Sequence, residues 1–218
     1  CEAQAELGHI PQDAVDEIKA KAKFDVERIL EIEAEVRHDV IAFLTNVNEY
    51  VGAAGRYIHL GMTSSDVLDT ALALQMVAST DILLTRLEET IQAIRYQAQK
   101  HRNTVMIGRS HGIHAEPITF GFKLAGWLSE MLRNRDRLVQ VRRSIAVGKI
   151  SGAVGTYANI EPRAEAIACQ KLGLTPDTAS TQVISRDIHA EFAQVLALIV
   201  ATFERFAVER EVDPQHRR

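Results

Sequence analysis

"PITFGFKLAGWLSEMLRNRDRLVQVRRSIAV", residues 117–147, decides the fold class. Phe120, Leu124, Trp127, Leu128, Met131, Leu132, Leu138 and Val139 fall on one broad apolar stripe at helical spacing, and Pro117 suits a first helical position. The spacing predicts a long helix from Pro117 to about Val147. Two more follow from the same pattern, one from Val67 to about His101 and one from Ser185 to Glu211. Each is near thirty residues, or about 45 Å at 1.5 Å per residue. Rods of that length pack side by side, so the expected class is all-α, a long-helix bundle. The stripes are wide enough that further rods, from the same or other chains, should cover them.

The shorter pieces fit between these rods. Helical spacing between Pro11 and Tyr50 (Val26, Ile29, Leu30, Val40, Ile41, Phe43, Leu44) predicts two helices joined near Phe24. Gly52, Gly55 and Gly61 mark a turn-rich stretch, "GKISGAVGTYANIEP" a glycine-punctuated connection, and Pro162 to Leu172 a short helix. We expect residues 1–62 to be part of an N-terminal helical domain and 63–218 part of a central bundle domain. No alternating strand-like run stands out.

Composition narrows the function. Lys and Arg total 25 against 29 Asp and Glu, a net charge of -4, which leaves no electrostatic footprint for nucleic acid or an anionic membrane surface. A small-molecule ligand is the expectation. The longest uninterrupted apolar run, Val195 to Ala201, has seven residues, against roughly 20 for a membrane span. The 2 cysteines, Cys1 and Cys169, read as free thiols of a reducing, cytoplasmic setting. Opening on Cys1 with no start-like region, the chain reads as incomplete at both ends.

Polar residues gather in a few stretches. "RHD", Arg37, His38 and Asp39, sets two cationic donors beside a carboxylate, either a grip on a polar ligand or a solvated helix face. In "HLGMTSSD", His59, Thr63, Ser64, Ser65 and Asp66 offer hydroxyls and backbone N–H groups at a helix start, a cradle for a carboxylate or phosphate. Plain N-capping also explains Ser65 and Asp66. "GRSHGIHAEP" places His111 and His114 in a glycine-bracketed turn, with Ser110 beside them. A metal site would need further ligands and none accompanies them. A histidine with a pKa of about 6.5 is suited to moving protons, and a structural loop histidine is the alternative. Lys149 precedes the glycines of its stretch and no strand leads into it, so the phosphate-loop pattern fails. Cys169 reads as a small core residue.

Taken in order, "RHDV", "HLGMTSSDVLDTA", "GRSHGIHAEPITFG", "GKISGAVGTYANI" and "QVISRDIHAEF" resemble the adenylosuccinate lyase family of the fumarase and aspartase superfamily, from about Gly8 to Glu209. The resemblance implies the superfamily's long-helix bundle and a β-elimination that releases fumarate from adenylosuccinate to give AMP, and from succinyl-aminoimidazole-carboxamide ribotide in purine biosynthesis. It implies His111 as general acid, with Arg37, His38 and Asp39 binding substrate. Thr63 and Ser64 would hold its anionic groups, and Gln182 would reach it from a neighbouring subunit. His59 would assist at the phosphate, and Ser110 and Lys149 at the succinyl group. No cofactor or metal is implied, and the assembly would be a homotetramer whose subunits share active sites.

Two departures stand beside this. The family's base is a serine in a "SSxMPxKxNP"-like loop, and no such stretch occurs in the chain. After "ERFAVE" the family's helix continues, whereas here "REVDPQHRR" breaks off with Asp213 and Pro214. The competing expectations are a non-catalytic helical scaffold and a sister lyase acting on another succinyl compound.

Overall fold

A computed structural model of the chain describes residues 1–215, with side chains to 209. The helices are α1 (Glu2–Glu6), α2 (Gln12–Lys21), α3 (Val26–Val36), α4 (Asp39–Val51), α5 (Ser64–Lys100), α6 (Phe120–Ser144), α7 (Pro162–Leu172) and α8 (Asp187–Gln215). A 3-10 helix, Gly52–Tyr57, follows α4. The strands are β1 (Val105–Ser110), β2 (Ile113–Thr119), β3 (Val147–Gly148) and β4 (Thr175–Pro176). The all-α class holds, with α5, α6 and α8 running 37, 25 and 29 residues.

Contacts group the chain into two compact units. One comprises Cys1–Gln75 with Ala146–Ser185, the other Met76–Ile145 with Arg186–Arg218.

In the first unit, Ile10, Val15 and Ile18 pack on Val47, Val51 and Ala54 as one core, while Ala73, Cys169 and Leu174 form a second. The segment expected as two helices is three. The break near Phe24 is present, where Asp25 caps α3 by accepting from Arg28 N at 3.1 Å. A further break falls at Arg37, which closes α3 in the left-handed conformation (φ 53°). His38 then caps α4, its Nδ1 accepting from Ile41 N at 3.5 Å. Helix α7 has its expected bounds, from Pro162 at its start to the left-handed Gly173 that closes it.

In the second unit, Leu87 and Ile91 of α5, Met131, Leu138 and Val141 of α6, and Val195 and Phe206 of α8 form one core. Trp127 stacks on Phe206 with ring centroids 4.2 Å apart and donates its indole N–H to Glu209 Oε2 at 2.9 Å. Inside that core Asn134 donates to Thr202 Oγ1 at 2.8 Å, so the buried amide is satisfied.

Pro117 is a strand residue, not a helix start. It pairs with Ile107 in the antiparallel β1–β2 hairpin, where an edge strand tolerates a residue without an N–H. Helix α6 starts at Phe120, capped by Thr119 Oγ1, which accepts from Phe122 N at 3.1 Å. At the other end of the chain, α8 continues past Glu211 to Gln215.

By length and apolar content α5 could cross a membrane. Its acidic residues have protein partners instead: Asp69 accepts from Ile184 N at 2.7 Å, and Asp81 accepts from Arg142 Nη2 at 2.8 Å. These are contacts of a helix packed within protein.

Candidate active site

Helix ends build the site in the first unit. The "RHD" triad occupies the α3–α4 junction rather than a continuous helix face. There the left-handed Arg37 turns the chain, His38 is the cap, and Asp39 opens α4; all three are exposed. His38 Nδ1 lies 3.2 Å from Asp39 Oδ1 and 3.5 Å from Ile41 N. The donor or acceptor role of the other ring nitrogen, Nε2, depends on the tautomer. That atom lies 3.5 Å from Ser64 Oγ, so the first two motifs meet here.

Helix α5 begins at Ser64, and Thr63, Ser64 and Ser65 are half-buried. Asp66 is not an outward cap. It is 1% exposed, and its carboxylate accepts from four donors: Thr63 N at 2.9 Å, Ser151 N and Gly152 N each at 3.2 Å, and Lys149 Nζ. Lys149 is 0% exposed and also donates from Nζ to Gly152 O at 2.8 Å. The ammonium expected at the succinyl group is thus enclosed between Asp66 and a carbonyl. Thr70 Oγ1 completes the hold, donating to Lys149 O at 3.0 Å and accepting from Lys149 N at 3.1 Å.

Residues 149–157 are held from a second side by Glu165 of α7, which is 3% exposed. Its carboxylate accepts from Ile150 N at 2.7 Å and from the Tyr157 hydroxyl at 2.5 Å. That hydrogen bond above all, helped by burial and by the Glu165 charge, pushes the Tyr157 phenol up to about 12. Burial first, then Glu165, pushes the Cys169 thiol up to about 11, as expected of an inert core cysteine. Ser151 Oγ and Ser180 Oγ are 2.9 Å apart. A Cβ on Gly155 would stand 2.0 Å from Ser180 O, and one on Gly61 would stand 2.1 Å from Asn159 O. The segment that carries the exposed Gln182 is therefore seated against this loop. His59 adopts φ 69°, and its Nε2 is buried with no hydrogen-bond partner.

The second unit carries Ser110 and His111. They lie at the tip of the hairpin, where Ser110 pairs with Ile113 and the two-residue turn has φ 54° at His111 and 77° at Gly112. Positive φ at both central residues matches the right-handed twist of the flanking strands. Ala115 and Glu116 of β2 face the single residue Gly108 of β1, a bulge between the Ile107–Pro117 and Arg109–His114 pairs. His111 is exposed, and His114 lies in the ladder opposite Arg109.

The four non-glycine residues with positive φ among the described residues are Arg37, His59, His111 and Tyr157. Each sits in one of the quoted motifs. Such backbone costs about 1–3 kcal/mol per residue and concentrates at functional sites. Sequence reading passed over Glu165 and Tyr157 as struts, because a carboxylate that meets its partners only through the fold leaves no local signal.

Residues 1–210 match the model of a family described as lyase. The chain is 83% identical over 209 residues to the adenylosuccinate lyase of Synechocystis sp., covering 96% of this chain and 48% of that protein. It is 52% identical over 209 residues to the adenylosuccinate lyase of Bacillus subtilis, with the same shares of 96% and 48%. It thus spans about half the length of these curated relatives. Among solved structures, a fumarate lyase from Mesorhizobium sp. BNC1 superposes with a TM-score of 0.91 at 32% identity, over 97% of this chain and 51% of that one. A 3-carboxy-cis,cis-muconate lactonizing enzyme from Pseudomonas putida gives 0.87 at 32% identity, over 95% and 49%.

Proposed function

The chain belongs to the lyase family of the fumarase and aspartase superfamily, and from that premise we propose that it supplies the general acid and substrate-binding groups of a fumarate-releasing enzyme. Its substrate is adenylosuccinate, cleaved to AMP, together with succinyl-aminoimidazole-carboxamide ribotide in purine biosynthesis. The observation that carries the reading is the coincidence of backbone strain with the motifs: Arg37, His59, His111 and Tyr157. The 83% identity to an adenylosuccinate lyase supports the choice of substrate.

In this elimination a base takes a proton from the carbon beside a carboxylate, and the electron pair builds a doubly charged carboxylate intermediate. Collapse breaks the C–N bond, and an acid protonates the departing nitrogen. His111 is that acid, and its place on a tight hairpin tip fixes where the imidazole is presented. The start of α5, with Thr63 and Ser64, receives the substrate's anionic groups, because the side-chain hydroxyls and the helix dipole favour negative charge there. Arg37, His38 and Asp39 bind at the adjoining junction, with the Asp39 carboxylate 3.2 Å from the His38 ring. Gln182 reaches the substrate of a neighbouring subunit, His59 serves the phosphate and Ser110 the succinyl end. Lys149, turned inward onto Asp66, serves that end through the loop it holds. The reaction needs no cofactor or metal, and its base is the loop serine that the family resemblance implies.

Residues 1–62 contribute to an N-terminal domain and 63–218 to the central bundle of a cytoplasmic homotetramer. Exposed apolar residues on the long helices, among them Leu68 and Ile82 of α5 and Val200 and Val208 of α8, support burial against other subunits. The test is fumarate release from adenylosuccinate by the full-length protein beside a His111→Ala variant. We expect turnover that falls by roughly 100-fold or more in the variant, with its fold intact. A folded tetramer without turnover would refute the assignment and leave a scaffold or a sister lyase.

A further inference from the structure

We infer that Asp66 and Lys149 are a positioning pair for the elimination: buried together, they fix the anion-binding hydroxyls of Thr63 and Ser64 against the 149–157 loop. The inference rests on the reading of the site given above. Neither side chain is exposed, so neither touches substrate, and both act through what they hold.

Asp66 ties the two segments through one rigid group. One of its oxygens receives Thr63 N at 2.9 Å and Gly152 N at 3.2 Å. The other receives Ser151 N at 3.2 Å and the Lys149 ammonium. Lys149 returns a bond to Gly152 O at 2.8 Å, so the loop is clasped by both its N–H and C=O groups. From there Ser151 Oγ reaches Ser180 Oγ at 2.9 Å, two residues before Gln182. Three segments proposed to touch substrate, at residues 63–64, at the loop and at 182, share this one node.

Stability alone does not call for such a pair. Two charges taken out of water lose hydration that their mutual attraction roughly repays, and well-packed neutral residues often serve as well. What a neutral pair does not reproduce is direction. A carboxylate accepting from three backbone N–H groups and an ammonium holds all four donors at fixed angles. Misplacement of a binding group by about 1 Å can cost about 100-fold in rate, so the value of the pair lies in geometry.

Stability and positioning separate in the full-length enzyme carrying D66N, K149M and the double variant D66N/K149M. Each single change leaves a buried group without its partner and should lower both Tm and kcat/KM. The double change removes the unpaired charge. Its Tm should recover above that of the less stable single variant, while kcat/KM stays about 100-fold down, with KM raised and kcat lowered together. Should the double variant not fold, D66E serves: it keeps the charge and the Lys149 partner but lengthens the arm by one methylene, and we expect a comparable fall in kcat/KM. Wild-type kcat/KM in a folded double variant, or in D66E, would overturn the inference. Absence of fumarate release by the wild-type enzyme is a different result, visible before any variant is compared. It would overturn the underlying reading and this inference with it.

Discussion

The 149–157 loop and the hairpin tip at His111 are both short, glycine-bearing turns with positive φ, at Gly152, Gly155 and Tyr157 in one and at His111 and Gly112 in the other. They are held in different ways. The loop is clamped by side chains from distant parts of the sequence, Asp66 and Thr70 on one side and Glu165 on the other. The hairpin is shaped by its own backbone ladder, and its tip is exposed. The first is a frame whose geometry depends on tertiary partners, whereas the second is a local conformation that its two strands and turn suffice to define. On the function proposed above, groups that hold a multiply charged substrate in one pose gain from the former, and a histidine presented to a leaving nitrogen needs only the latter.

The sharpest way to break this contrast is a methyl group placed at the same backbone angle in both turns. Gly155→Ala and Gly112→Ala share the left-handed strain, with φ 81° and 77°. A Cβ at Gly155 would stand 2.0 Å from Ser180 O, whereas one at Gly112 meets nothing within 4 Å. We expect a loss of roughly 3 kcal/mol or more for Gly155→Ala, since overpacking adds to the strain, and about 1 kcal/mol for Gly112→Ala. Chemical denaturation of both variants checks this, and equal losses would mean that the two turns are held alike.

A smaller effect is expected at the second clamp. Glu165→Ala removes the acceptor of Ile150 N and of the Tyr157 hydroxyl and should cost roughly 2–3 kcal/mol, the range for losing a bond to a charged group with its partner left partly buried. His111→Ala, at an exposed position, should change stability by less than about 0.5 kcal/mol while abolishing most turnover. If Glu165→Ala were equally neutral, the loop would owe its shape to its own turns, as the hairpin does.

What was legible in the sequence follows the same division between local and distant causes. Helix α7 could be bounded to the residue, because Pro162 and Gly173 act on the backbone where they stand. The long helices could be read from their apolar stripes, with ends misjudged by one to four residues. Pro117 was ambiguous because a proline suits a helix start and an edge strand equally; its pairing with Ile107, ten residues away, settled it. The break at Arg37 was hidden because arginine rarely adopts the left-handed conformation and histidine is not among the favoured capping residues. In the site, hydroxyl and histidine motifs were visible as composition. Asp66 was visible only as a capping candidate, since its partner Lys149 is 83 residues away. The inward turn of Lys149 could not be read from a stretch that looks like an exposed glycine-rich connection.

The smallest effect concerns the pH dependence that the frame should have. Tyr157 donates to Glu165 Oε2 at 2.5 Å, and this bond, ahead of burial, holds the phenol up to about 12, above the value of about 10 for a free tyrosine. The folded state therefore favours the protonated phenol. Its contribution to stability is complete below about pH 10, where both states are protonated, and is lost as pH rises toward 12, where the unfolded chain gains by ionising and the folded chain must surrender the bond. Lysines titrate in the same range, so an absolute curve would mix several groups. The difference between wild type and Tyr157→Phe isolates the one phenol: the wild-type advantage in denaturant midpoint should be flat to about pH 10 and shrink above it. Parallel curves from pH 9 to 12 would mean that the Glu165 clamp does not engage the tyrosine in solution. Glu165 would then hold the loop through Ile150 N only, beside Asp66 and Thr70, and the Tyr157 end would be shaped by its own turn as the hairpin tip is.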